Sequence, residues 1–355
     1  MIEPQSFSVA SHRGTYAVHR TSLRTALSAG LQPDDRLIID ETVLRLHPFV
    51  RYLSRGSQTH AVRADESLKA LDGIRPLLSW LIETGFNRSG TLYVIGGGTV
   101  QDAASFAASI LHRGVRWVFV PTTLLAQGDS CIGSKSSINF DGFKNQLGTF
   151  YPPAEVIIDE EFLHSLAPAE VRSGIGEILH YAVLGGASVF GAYEEALATG
   201  WDKLSPGQMS TQAMNAMVVK RSFIEADEFD ADVRKNLNLG HTFGHGLEFA
   251  SGGRIPHGVA VAYGTDMAAS FSAKLGIAQT DAVERVWQAV RRIVGGLELS
   301  SMAPDRVLEG MAKDKKRCQE GVELVLIEDL GRPVRVTVPV DEHLGLFIAS
   351  YLRSW

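Results

Sequence analysis

Cysteine is nearly missing from this chain: the 355 residues hold two, Cys131 and Cys318. Two thiols cannot build a disulfide framework or a thiolate zinc site, so a reducing, cytoplasmic setting is expected. Positive charge is in deficit as well. Lys and Arg number 34 against 40 Asp and Glu, a net charge of −6, and no segment carries a sustained basic stripe. Nucleic acid is therefore not an expected partner. Long hydrophobic runs are absent too. The richest stretches, LYVIGGG and WVFVP, are far too short to cross a bilayer, and MIEPQSFSVASHRG has no apolar core of a secretory signal. No repeat or low-complexity tract occurs. What remains is ordinary globular composition, 45% hydrophobic and 21% charged, in a chain long enough for two cores.

The first half alternates strand-like and helix-like texture. RLIID (36–40), TLYVI (91–95), VRWVFVP (115–121) and EVIID (155–159) are short, rich in β-branched or aromatic residues, and bounded by turn formers. Helical patterns separate them at 66–85 and 99–114. Such alternation predicts an α/β domain with a parallel, Rossmann-like sheet and crossover helices. From about Pro168 long 3.6-periodic segments dominate, with a late hairpin at VELVLIEDLGRPVRVTV. A mainly α-helical C-terminal domain is expected, with the boundary near residue 163 (1–163 and 164–355).

Five stretches carry chemistry. YVIGGGTVQD runs a strand into three glycines and then a helix, a turn that lets backbone approach a pyrophosphate at a helix N-terminus. It is not GxGxxG, and a bare tight turn is the alternative. PTTLLAQGDSCIGSKSSINFDGFKN ends a strand and continues as a Gly/Ser loop with Asp129, Lys135, Asn139, Lys144 and Asn145, suited to a phosphate or simply solvated. NLNLGHTFGH puts His241 and His245 on one helical face, but without the Glu of HExxH. With Glu177 in apolar GIGEILHY and His257 in RIPHG, Glu and imidazoles form a donor set normal for zinc; satisfied core residues are the competing account. Lys220 and Arg234 flank an acidic run that reads most simply as surface charge. The lysines of MAKDKKRCQE read as a solvated helix end.

Taken in order, GGGTVQD, PTTLLAQGDS, KN, GEILHY, RKNLNLGHTFGH and DKK resemble the sugar phosphate cyclases, the family of 3-dehydroquinate synthase, from about residue 36 to 330. The resemblance implies a metal, zinc or cobalt, on Glu177, His241 and His257. It implies a substrate phosphate on Lys135, Asn145, Asn238, His245 and Lys316, with Arg113 of the H-R-G turn reaching into the neighbouring subunit of a homodimer. Asp129 would contact substrate hydroxyls, and Lys220 with Arg234 would hold a substrate carboxylate. NAD would lie on Gly96, Gly97, Gly98 and Asp102, with Thr122, Thr123 and Lys144 nearby and Asp40, Glu66 and Lys69 at the adenosine end. In the family, a seven-carbon keto-acid phosphate is oxidised by NAD⁺, loses phosphate by β-elimination, is re-reduced and closes a carbocycle by intramolecular aldol addition.

Two stretches depart from the family pattern. His180 stands where a Lys is usual, three residues after the metal-ligand Glu, and the loop reads GSKSS where GGKTG is usual. Three other readings follow. One is a cyclase of specialised metabolism making an amino-dehydroquinate or a C7 cyclitol from sedoheptulose 7-phosphate. Another is a metal-dependent polyol dehydrogenase, although the Ala-Lys usual there after the turn Asp is Ala103-Ala104 here. The last is a binding protein that kept the fold.

Overall fold

The short β-branched runs become strands β3 (Arg36–Asp40), β5 (Leu92–Gly96), β6 (Trp117–Pro121) and β9 (Glu155–Ile158) of a seven-stranded sheet. The computed structural model describes residues 5–53, 58–295, 299–313, 317–318 and 321–355. Two units separate. The first comprises residues up to Leu166 with Met209–Met217 and Ile224–Phe229; the second comprises Ala167–Gln208, Val218–Phe223 and Asp230–Trp355.

In the first unit the sheet is completed by β1 (Ser6–Ser11), β2 (Gly14–Arg20) and β4 (Thr59–Val62), in the order β1-β2-β9-β6-β5-β3-β4. All neighbours pair in parallel except β1 with β2. Both faces are covered, so β6 is buried at every position rather than at alternate ones. Leu37, Ile39, Ile95, Val118, Val120 and Ile157 form one core with Leu23, Val43 and Phe162. Each such burial contributes roughly 1.5–3 kcal/mol. The chain passes from β3 outward to β4, then returns to the other side of β3 as β5. Loops at the carboxyl ends of β3 and β5 therefore flank a switch point, where open α/β sheets bind ligands.

Helices α1 (Leu23–Ala26), α2 (Glu41–Leu46), α3 (Leu71–Glu83) and α4 (Gly98–Ile110) connect the strands. The helical pattern at 66–85 is broken at Ala70 into a 3₁₀ turn, Glu66–Lys69, and α3. The stretch expected as a Gly/Ser loop after β6 is instead a π-helical turn, Ala126–Ser130, followed by the hairpin β7 (Lys135–Phe140) and β8 (Phe143–Phe150). Its two-residue turn is Asp141-Gly142, both at positive φ, a turn chemistry that favours hairpins.

The second unit is built on α5 (Pro168–Leu184), α6 (Ala187–Ala196), α7 (Pro206–Ala226), α8 (His241–Ser251), α9 (His257–Lys274), α10 (Thr280–Val294), α11 (Pro304–Lys313) and α12 (Glu342–Ser354), α7 being divided between the units. β10 (Arg317–Cys318), β11 (Gly321–Asp329) and β12 (Arg332–Val338) form a small antiparallel sheet that contains the expected late hairpin. Backbone-to-backbone contact sets the helix spacing. A Cβ on Gly258 would lie 1.8 Å from the carbonyl oxygen of Ser173, and one on Gly264 would lie 2.0 Å from that of Gly240. Only glycine lets α5 and α8 approach α9 so closely. No helix among the described residues is long and apolar enough to cross a membrane.

Candidate functional site

Close packing of α5, α8 and α9 brings three side chains together. Glu177 follows Gly176 on α5, His241 follows Gly240 as the first residue of α8, and His257 precedes Gly258 as the first residue of α9. Glu177 Oε1 lies 3.4 Å from His241 Nε2, and Oε2 lies 3.5 Å from His257 Nε2. Donors at zinc-like bond lengths around a tetrahedral ion stand about 3.4 Å apart. Each residue offers one ligand atom within 4.8 Å of the others. Glu177 is buried, and its Oε2 accepts no hydrogen bond among the described residues, a costly state that a cation would relieve. Burial pushes the Glu177 carboxyl up. Hydrogen bonding to His241 and the charges of His241, His257 and His180 outweigh that and hold it well below the usual carboxylate range. His241 donates Nδ1–H to the Leu239 carbonyl (3.2 Å), so Nε2, which faces Glu177, is the nitrogen left to take a metal ion in place of a proton. Residue types, spacing and tautomer all fit a divalent ion.

The other candidate residues of this unit differ in placement. The His245 ring stands 5.6 Å from the rings of His241 and His257 without joining the set of three. His180 is fully buried, donates Nδ1–H to the Glu177 carbonyl (2.6 Å) and meets the His241 ring edge-on at 5.0 Å. Lys220 on α7 and Arg234 in the 3₁₀ turn Val233–Asn238 are each 7% exposed, so neither is surface charge. Asn238 ends the same turn, half-buried, its amide donating to Lys235 O (3.0 Å). Lys316 lies outside the described residues. Glu248, not singled out from sequence, contacts His257 Nδ1 at 3.1 Å. Its spacing, seven residues after His241, was the available signal.

In the first unit the glycine turn ends β5. A Cβ on Gly96 would press into Val100 at 2.7 Å, and one on Gly97 would meet Thr123 Cγ2 at 3.2 Å. Gly97 is the N-cap of α4 and has no side chain to cap it, which leaves the first N–H donors of α4 and its positive dipole end available to an anion. Thr122 extends the ladder by donating to Gly96 O (3.0 Å), and Thr123 Oγ1 accepts from Ala126 N (3.1 Å). Such a turn fits a dinucleotide phosphate.

Beside it runs a polar network. Lys69 Nζ reaches Asp102 (2.8 Å) and Asn145 Oδ1 (3.1 Å); Asp102 also accepts from Ser137 N (3.0 Å); Asn139 donates to Glu66 (2.7 Å). Burial pushes the Asp102 carboxyl up, with Lys69 pulling the other way. The structure thus groups Asn145, at φ 56°, with Lys69 and Asp102. Asn139, which the sequence offers for a phosphate, and Ser137, which carries no sequence signal, join them. Asp40 ends β3 and caps α2 through Thr42 N (2.7 Å). Asp129 is half-buried in the π turn, while Lys135 and Lys144 are exposed on the β7–β8 hairpin.

Arg113 occupies a strained turn. His112, Arg113 and Gly114 all have positive φ, at 50°, 64° and 114°. Left-handed backbone costs a non-glycine residue on the order of 1–2 kcal/mol. Arg88 holds the His112 carbonyl, and His112 Nε2 donates to Phe86 O (3.1 Å). The exposed Arg113 side chain is thereby presented from a fixed base.

A 3-dehydroquinate synthase N-terminal model matches residues 59–173, and the corresponding C-terminal model matches 174–317. The 3-dehydroquinate synthase of Paracoccus denitrificans (strain Pd 1222) is 36% identical over 322 residues, covering 87% of this chain and 86% of its own. In fold, the chain is similar to 2-deoxy-scyllo-inosose synthase complexed with carbaglucose-6-phosphate, NAD⁺ and Co²⁺, with a TM-score of 0.83, 23% identity, and 97% and 99% of the two chains covered. It is also similar to the 2-epi-5-epi-valiolone synthase of Streptomyces hygroscopicus subsp. jinggangensis 5008 with NAD⁺ and Zn²⁺ bound, with a TM-score of 0.82, 24% identity and 96% of each chain covered. With both halves of the family model matched across most of its length, the chain belongs to the 3-dehydroquinate synthase family.

Proposed function

We propose that this protein is a sugar phosphate cyclase with 3-dehydroquinate synthase activity. It would be a carbon–oxygen lyase that eliminates inorganic phosphate from a seven-carbon keto-acid phosphate and closes a carbocycle. Residues 1–163 serve as the NAD-binding domain, and 164–355 as the metal- and substrate-binding domain. The observation that carries the carboxylated substrate is the burial of Lys220 and Arg234. Out of water, an ammonium and a guanidinium attract an anion far more strongly than at a surface, and the planar Arg fork matches a carboxylate.

When bound, NAD⁺ would supply a reversible hydride acceptor, and zinc or cobalt would supply Lewis acidity at the reacting oxygen, as the ligands of the two structural neighbours suggest. Glu177, His241 and His257 hold the ion. The glycine turn, Asp102 and Lys69, with Asp40, Glu66, Thr122, Thr123 and Lys144, hold the dinucleotide. Lys135, Asn145, Asn238, His245 and Lys316 grip the leaving phosphate, Asp129 accepts from substrate hydroxyls, and Arg113 acts in the partner subunit of a homodimer. Overall one C–O bond to phosphate breaks and one C–C bond forms, with no net change in oxidation state.

His180 favours a second reading. An imidazole with Nδ1–H committed to Glu177 O is shorter than the usual Lys and leaves room for a changed substituent, as in an amino-dehydroquinate or a C7 cyclitol precursor.

Phosphate release from 3-deoxy-arabino-heptulosonate 7-phosphate, sedoheptulose 7-phosphate and glucose 6-phosphate, with NAD and metal supplied, tests these readings. Turnover of the carboxylated sugar without accumulation of NADH is expected. Lys220→Met or Arg234→Met should lower its kcat/KM about 100-fold or more, since removing one partner of a buried charge pair costs about 3–5 kcal/mol. Faster release from sedoheptulose 7-phosphate would promote the cyclitol reading, and net NADH would indicate a dehydrogenase.

A further inference from the structure

Behind one corner of the metal triad stands a carboxylate that the reaction above does not use. Glu248 lies on α8 seven residues after His241 and three after His245, so one helix face carries all three. Its Oε2 is 3.1 Å from His257 Nδ1. An ionised carboxylate only accepts, so Nδ1 carries a proton, and Nε2, 3.5 Å from Glu177 Oε2, is the nitrogen presented to a metal ion.

The three ligands are anchored differently. Glu177 is fixed by burial within α5, and His241 by the carbonyl of Leu239 in its own segment. His257 opens α9 and has the most exposed side chain of the three, 36% against 15% and 1%. Its anchor is a side chain from another helix.

We propose that Glu248 is a positioning residue for the metal. It fixes the His257 ring in the Nδ1–H tautomer, and its charge makes Nε2 a stronger donor. It also balances the centre: two carboxylates, Glu177 and Glu248, match a divalent ion held by two neutral imidazoles. The assignment rests on the metal reading above.

The test uses full-length protein stripped of metal. Zn²⁺ and Co²⁺ affinities are measured by competition with a chromophoric chelator, and the visible absorption of the Co²⁺ form is recorded. Glu248→Leu and Glu248→Ala, which remove the acceptor at a half-exposed position, should each weaken affinity about 10–100-fold and alter the Co²⁺ spectrum. Glu248→Gln keeps an oxygen that can accept from Nδ1–H, and should recover part of the affinity and most of the spectrum. Affinity in either truncated variant within about twofold of wild type, well short of the loss expected for an outer-shell partner, overturns the role of Glu248. So does a Gln variant no better than Leu. If the wild type itself takes up neither ion, the metal reading fails instead, so the two failures are told apart.

Discussion

At the scale of single residues, burial separates functional charge from decoration. Asp266 on α9 shows what burying a carboxylate costs. It is fully buried; Tyr351 Oη donates to its Oδ2 at 2.6 Å, and burial pushes the carboxyl up from 3.8 to about 6. A folded-state pKa above the unfolded one means the native protein keeps this proton while the unfolded chain loses it. Stability from Asp266 is therefore fully present below about pH 4 and falls as pH rises through 6, by on the order of 3 kcal/mol. Asp266→Asn cannot ionise, so its urea midpoint relative to wild type should rise between about pH 4 and about pH 8. A constant difference would show that Asp266 does not titrate in that window. Other residues differ in how far sequence alone reveals them. Glu177 is legible because a carboxylate amid apolar helix residues needs a partner. Lys220 and Arg234 are not, since their acidic surroundings look solvated until tertiary burial is known. Glu248 is hidden for another reason: its partner, His257, sits on a different helix.

At the scale of elements, periodicity made the helices of the second unit and the parallel strands of the first readable, because apolar residues repeat at 3.6 or run unbroken. The β1–β2 and β7–β8 hairpins were not read. β8 is exposed or half-exposed throughout, so no hydrophobic alternation marks it. Backbone contact between helices is equally invisible to periodicity, although it brings Glu177, His241 and His257 together. Gly258→Ala would put a methyl 1.8 Å from Ser173 O and 3.0 Å from Glu177 N, forcing α5 away from α9. A loss of roughly 1–3 kcal/mol or more is expected, together with weakened metal binding. Gly191→Ala on α6 meets nothing within 4 Å and should instead stabilise by about 0.5–1 kcal/mol. Thermal unfolding and metal content of the two variants check this. Full metal retention in Gly258→Ala would mean that the α5–α9 spacing does not set the triad.

At the scale of the whole molecule, we propose that each site draws on a second chain. Arg113 is the residue that makes this testable. Two successive non-glycine residues held at positive φ, tied by Arg88 and by the His112–Phe86 contact, are strain that a loop without function would be free to lose. The turn keeps the Arg113 side chain exposed, and the family resemblance assigns it to the neighbouring subunit's substrate phosphate. Arg113→Ala and His241→Ala should each be inactive alone, the first for want of a phosphate contact and the second for want of a metal ligand. Coexpressed with different tags, they form hybrid dimers in which one site regains both groups if Arg113 acts across the subunit boundary. Random pairing makes half the dimers hybrid, each with one working site of two, so about a quarter of wild-type activity should return. If Arg113 serves its own subunit, every site in the hybrid lacks either Arg113 or His241. Isolated hybrids with no activity would therefore place Arg113 in its own subunit's site. A chain that stays monomeric in sedimentation, while still releasing phosphate, would remove the neighbour altogether.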